Sequence, residues 1–177
     1  MRSVERTPWA VQRTSMHDAI SLLVTEQPDR LCRIAAPAMA DLLPQTDVPR
    51  GIDRVLVEHP CGTGFCDIVI ETDGRERAWF VEVKTDAERA SAGDIIRQLR
   101  WYAGQCRGYS RKELVLVTET LPDPSRWMLL CRAGVRVVPA WCLERKASVG
   151  HLLSATAIVI SDGPISSSES NEERSQQ

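Results

Sequence analysis

Glu82 and Lys84 stand two residues apart in the run "AWFVEVKT", which is otherwise apolar and strand-like. A strand that enters a core usually excludes both charges, so they either face water or do chemistry. Upstream, Asp67 opens a second β-rich run, "DIVI", and between the two lies Asp73-Gly74, a hairpin turn signal. A four-residue loop over residues 73–76 sets Thr72 against Arg77 and therefore Asp67 against Glu82. A two-residue turn would shift the pairing by two, leaving the two carboxylates as diagonal neighbours on one face. Side-chain alternation then gives Lys84 the face of Glu82 and turns Val81 and Val83 the other way, into a core. Two adjacent carboxylates repel and raise each other's pKa unless a cation lies between them. Oxygen donors from Asp67 and Glu82, with the backbone carbonyl of Val83 and waters, suit Mg²⁺, with Mn²⁺ able to substitute. Lys84 would then orient a water at the cation's edge, an arrangement suited to attack on a phosphodiester. The plainer alternative is a solvated strand face that carries the same charges with no chemistry.

These residues need a sheet and a helix to position them. From residue 52 onward the chain reads as short runs rich in Val and Ile: "DRVLVEHP", "CDIVIET", "AWFVEVKT", "ELVLVTET" and "GVRVVPAW". One amphipathic helix, "GDIIRQLRWYAGQ", interrupts them, with Ser91 and Asp94 placed as a capping box and Ile95, Leu99, Tyr102, Ala103 and Cys106 on one stripe. A helix between the third and fourth runs makes those two strands parallel neighbours. Gln98 and Tyr102, four apart, lie one above the other on this helix. Ahead of the strands, "SMHDAISLLVTEQ" and "PDRLCRIAAPAMADLLP" predict two helices, the second kinked or split at Pro37. The domain reading is a helical segment over 1–50 packed on a core over 51–161, and a disordered tail over 162–177, where Ser, Glu and Gln replace core-forming residues.

A chain of 177 residues with 43% hydrophobic and 26% charged residues has the composition of a globular domain. No apolar run approaches the roughly 20 residues of a membrane span, and the polar N-terminus does not read as a signal peptide, so a cytoplasmic location and no membrane partner are expected. The six cysteines form no CxxC pair and no zinc-site spacing, and are expected as reduced, mostly buried thiols. His17, His59 and His151 show no partner in the sequence and are read as structural. A net charge of −2 attracts no polyanion overall, but Arg97, Arg100, Arg107, Arg111 and Lys112 make one stretch locally basic. Trp101 could stack on a base.

Asp67, the Glu82-Val83-Lys84 tripeptide and the Gln98/Tyr102 pair together resemble the PD-(D/E)XK nuclease superfamily, of RecB-like type with a QxxxY motif. The resemblance spans about half the chain, roughly residues 52 to 140. Cys66 stands where the family's motif has proline. The resemblance implies an α/β, restriction-endonuclease-like fold, a mixed β-sheet flanked by helices, here preceded by N-terminal helices. It implies a Mg²⁺-dependent deoxyribonuclease with Asp67, Glu82 and Lys84 as catalytic residues. Gln98 would support the site and Tyr102 would contact the DNA backbone, with Arg97 and Arg100 as weaker substrate-binding candidates. Glu58, which ends the strand before Asp67, is a further acidic candidate for the metal. The cysteines lack the arrangement of iron–sulfur relatives, so no cluster is expected. DNA is the implied partner, and a homodimer or a helicase or specificity partner would complete the function. A catalytically silent DNA- or protein-binding member of the fold and a Holliday-junction resolvase-like enzyme are the alternatives.

Overall fold

The computed structural model describes residues 4–6, 15–37, 42–86 and 89–144. The segment 162–177 and His151 lie outside the described residues. Helices α1 (Ser15–Glu26) and α2 (Pro28–Ala35) precede three strands, β2 (Ile52–Cys61), β3 (Gly64–Thr72) and β4 (Arg77–Lys84), which form an antiparallel meander. Helix α3 (Ala92–Gln105) then crosses over to β5 (Arg111–Thr118), which lies parallel to β4 as expected. A second crossover through α4 (Pro124–Arg132) leads to β6 (Val135–Pro139), parallel to β5. Strand β1 (Val4–Arg6) pairs in parallel with the outer side of β2, giving one six-stranded sheet in the order β1-β2-β3-β4-β5-β6. This α/β mixed sheet flanked by helices is consistent with a restriction-endonuclease-like fold.

The hairpin register is the one that a four-residue turn dictates: Thr72 pairs with Arg77 and Ile68 with Val81. Asp73 and Arg75 adopt left-handed backbone around Gly74, which lets the chain reverse there. Alternation along β4 sorts its residues to two cores. Trp79, Val81 and Val83 are fully buried with Ile20, Val24 and Leu31 of α1 and α2. Ala78 and Phe80 are fully buried on the other face with Ile95 and Leu99 of α3 and Leu130 of α4. Each fully buried large side chain contributes roughly 1.5–3 kcal/mol, so β4, covered on both faces, is an anchor of the fold. Helix α3 begins as its capping signal predicts, with Ser91 Oγ accepting from Asp94 N at 3.0 Å.

Helix α2 ends at Ala35, just ahead of Pro37 where a kink or split is expected, and a side chain from β6 takes its last carbonyl. Two features differ from the sequence expectation. The 1–50 segment is not helical throughout, because Val4–Arg6 adds a strand at the edge of β2. Helix α4 has no counterpart among the expected elements, although Asp123 caps it and Pro124 occupies its first turn, a legible start signal. Exposed Met128 and Leu129 beside buried Trp127, Leu130 and Cys131 blur the period that would have announced it. No helix among the described residues is long and apolar enough to cross a membrane.

Candidate active site

The meander opens at the start of β3. Backbone pairing between β3 and β4 runs from Thr72/Arg77 to Ile68/Val81. One residue further, the Val83 N–H donates to Asp67 Oδ2 at 2.8 Å, so a side chain takes over where the ladder would have continued. The Cys66 thiol sits in the same gap, donating to the carbonyls of Ile68 (3.4 Å) and Val81 (3.6 Å). Burial, then the negative charge of Glu82, pushes the Cys66 thiol well above its usual range, so it stays protonated and packs as a small apolar group.

Glu82 follows from the alternation of β4, on the α3 face. It is 1% exposed and Asp67 is 6% exposed, so this is not a solvated strand face. Glu82 Oε1 accepts from Lys84 Nζ at 2.5 Å and from Gln98 Nε2 at 2.9 Å. Gln98 Nε2 also donates to Tyr102 Oη at 2.8 Å, so the pair on α3 reads directly onto Glu82. Burial first, then repulsion from Asp67, pushes the Glu82 carboxyl up to about 7, against the pull of Lys84 and Gln98. Burial likewise pushes Tyr102 up to about 12, which keeps its hydroxyl neutral and able to donate.

Glu82 Oε2 is buried and has no hydrogen-bond partner. An acceptor left open in this way, beside a second carboxylate, fits a cation. Among the described residues one set of three His, Cys, Asp or Glu donors converges within 4.8 Å, and it lies elsewhere, at His59, Cys61 and Cys106. A cation at Asp67 and Glu82 would therefore complete its shell from backbone and water, the habit of Mg²⁺.

The other sequence candidates fall differently. Glu58 lies across from Asp67, between the pairs Val57/Ile68 and His59/Cys66, and holds a left-handed backbone (φ 50°) inside a strand, a strained position of the kind found at functional sites. Arg97 pairs with Asp94 on the exposed side of α3, and Arg100 donates to the Ala133 carbonyl at 3.0 Å, tying α3 to the end of α4. Neither is brought to Glu82 by a hydrogen bond. His17, read from sequence as structural, places Nε2 3.4 Å from Asp67 Oδ2. No local signal in α1 points to this, because only the packing of α1 over the sheet creates the contact. A cavity of about 850 Å³ lies at the opposite end of the β3–β4 hairpin; its lining carries four acids, Asp47 and Asp73 among them, against three arginines, and none of the carboxylate-site residues.

The raised Glu82 carboxyl has a measurable consequence. An unfolded chain ionises this group near 4.5, so the folded protein holds an extra proton from there to about 7. The associated stability is complete below the unfolded value and is lost as pH rises through about 7. Melting in the presence of chelator is expected to weaken across that rise, and millimolar Mg²⁺ to restore stability at its upper end, since the cation replaces the proton. Melts at successive pH values with and without Mg²⁺ check this; a Mg²⁺ effect that does not change with pH would contradict it.

No protein-family profile and no curated protein matches the chain. Among solved structures, the crystal structure of a repair endonuclease from Pyrococcus abyssi is similar at 16% identity, with a TM-score of 0.44. The match covers 73% of this chain and 48% of that one, so the chain spans about half the length of that structure.

Proposed function

We propose that this chain is a metal-dependent nuclease that hydrolyses phosphodiester bonds in DNA, a PD-(D/E)XK enzyme in chemistry. The observation that carries the reading is the buried Glu82 carboxylate, with Oε1 held by Lys84 and Gln98 and Oε2 left without a hydrogen bond next to Asp67. Asp67, Glu82 and the Val83 carbonyl would hold Mg²⁺ or Mn²⁺. A divalent cation bound there supplies positive charge that acidifies water and offsets the charge building on the phosphate.

The protein's own groups have separable tasks. Gln98 fixes Glu82 Oε1, so Oε2 is the oxygen presented to the ligand. The Val83 N–H holds Asp67, and His17 supports it from α1. The Lys84 side chain is 29% exposed and ends on Glu82, so its ammonium can orient the attacking water and donate to it. Tyr102 accepts from Gln98 and keeps its own O–H to donate to a phosphate oxygen. A silent binding protein has no need of a charge arrangement that costs stability when no cation is present.

The test is cleavage of labelled single-stranded, double-stranded and four-way-junction DNA with Mg²⁺, Mn²⁺ or chelator. Cutting is expected only with metal, and Lys84→Ala is expected to lower its rate by at least ~10²-fold while DNA is still bound. Equal cutting by the variant, or cutting in chelator, would overturn the reading. Binding without cutting by the wild type on all three substrates would favour the silent alternative, and symmetric cutting confined to junctions the resolvase.

A further inference from the structure

A second cluster of ligating side chains lies apart from the carboxylates and belongs to a different class of chemistry. His59 and Cys61 are two apart on β2 and so share a side of the strand. Cys106 caps the C-terminal end of α3, its N–H donating to the Tyr102 carbonyl at 3.1 Å. One donor atom from each of the three lies within 4.8 Å of the others, and the Cys61 and Cys106 sulfurs are 3.0 Å apart. Sequence spacing could not show this, because the third ligand arrives from a different element.

The backbone holds the cluster closed. Gly62 turns the β2–β3 hairpin with a left-handed backbone (φ 65°), and a Cβ there would meet Gln105 Cγ at 2.8 Å. Gly64 presses on Tyr102 so closely that a Cβ would stand 3.3 Å from the ring. The two glycines thus let the hairpin lie against the last turn of α3. Cys61 is buried, while His59 and Cys106 are half-buried, so the cluster can be reached from one side. Two thiolates and an imidazole are soft and borderline donors that suit Zn²⁺ and not the hard, oxygen-seeking Mg²⁺. Zn–S bonds of about 2.3 Å in tetrahedral geometry need sulfurs somewhat further apart than they stand here, a shift of less than about 1 Å.

We propose that His59, Cys61 and Cys106 form a Zn²⁺ site that staples the β2–β3 hairpin to the C-terminal end of α3. The site carries three protein ligands and a water, and each bound cysteine gives up its proton to solvent as the Zn–S bond forms. It does not depend on the nuclease reading. It would fix the last turn of α3, which the Cys106 N–H closes on the Tyr102 carbonyl.

The test uses the full chain, reduced and freed of metal, titrated with Zn²⁺ against a chromophoric competitor and, separately, with Co²⁺. About one Zn²⁺ per chain is expected, a sulfur-to-cobalt charge-transfer band on Co²⁺ addition, and a melting temperature that rises with Zn²⁺. Cys106→Ser and Cys61→Ser should lose the uptake and the band, and His59→Gln should weaken binding at least ~10-fold. Asp67→Asn should leave the sulfur-to-cobalt band unchanged, since only the cysteines can give it, which separates this site from the carboxylates. A circular-dichroism melt of each variant without metal shows that it is folded before its binding is judged. Uptake that persists in folded Cys106→Ser would overturn the proposal. So would absence of uptake by wild type whose thiols are shown to be free, or reduced chain that binds nothing and simply forms a Cys61–Cys106 disulfide in air.

Discussion

Glu82→Gln should abolish cleavage and at the same time make the metal-free protein more stable. The amide oxygen still accepts from Lys84 and Gln98, as Oε1 does now. The amide nitrogen replaces an oxygen that has no hydrogen bond and can donate toward Asp67 instead of repelling it. Above pH 7 the exchange removes a buried, desolvated charge, with an expected gain of about 1–2 kcal/mol in chelator, net of the weakened Lys84 pair. For a chain of this size that is roughly 2–4 °C in melting temperature per kcal/mol. Loss of the anionic ligand should lower metal-dependent cleavage by ~10³-fold or more and remove the Mg²⁺ effect on melting. The two measurements, a cleavage rate and a thermal melt in chelator, bear on different claims. A variant that loses activity and stability together would mean that Glu82 holds the fold together. One that gains stability and still cuts DNA would mean that the carboxylate pair is not the catalytic centre.

Arg136→Ala should cost more stability than any other polar substitution in the described part of the chain. Arg136 is 3% exposed on β6. Its Nη1 donates to the carbonyls of Ala35 at 2.8 Å and Pro37 at 3.3 Å, its Nη2 to that of Pro44 at 2.8 Å, and its Nε to Glu113 Oε2 at 3.2 Å. One guanidinium therefore closes the C-terminal end of α2, catches the segment beyond it, and pairs a half-buried carboxylate. Truncation strands those carbonyls and leaves Glu113 with Thr46, which donates to its Oε1 at 2.7 Å. The expected loss is about 3–5 kcal/mol in urea unfolding with an unchanged denaturant slope. Arg136→Lys should recover only part of it, because a single ammonium cannot span acceptors that the planar fork reaches on several sides. A loss below about 1 kcal/mol for the alanine variant would show that water takes over the carbonyls and that the end of α2 does not depend on β6.

The parts of this protein legible in its sequence are those whose cause is local. The Asp73-Gly74 turn settles the register of the hairpin up to Ile68/Val81, and just beyond it Asp67 lies near enough to Glu82 to raise its pKa. Period-two alternation settles that Glu82 shares the α3 face while Val81 and Val83 enter the other core. The capping box at Ser91 starts α3 where expected, and four-residue spacing stacks Gln98 on Tyr102. The burial of both carboxylates was open on spacing alone, because a solvated and a buried strand face can carry the same pattern; the covering helices decide it. Tertiary packing alone brought His17 to Asp67, ended α2 on a side chain from β6, gathered His59 and Cys61 with Cys106, and added β1 to the sheet edge. Each of these contacts joins elements distant along the chain. Turn chemistry, capping and periodicity act over a few residues, whereas such meetings depend on how whole helices seat on the sheet.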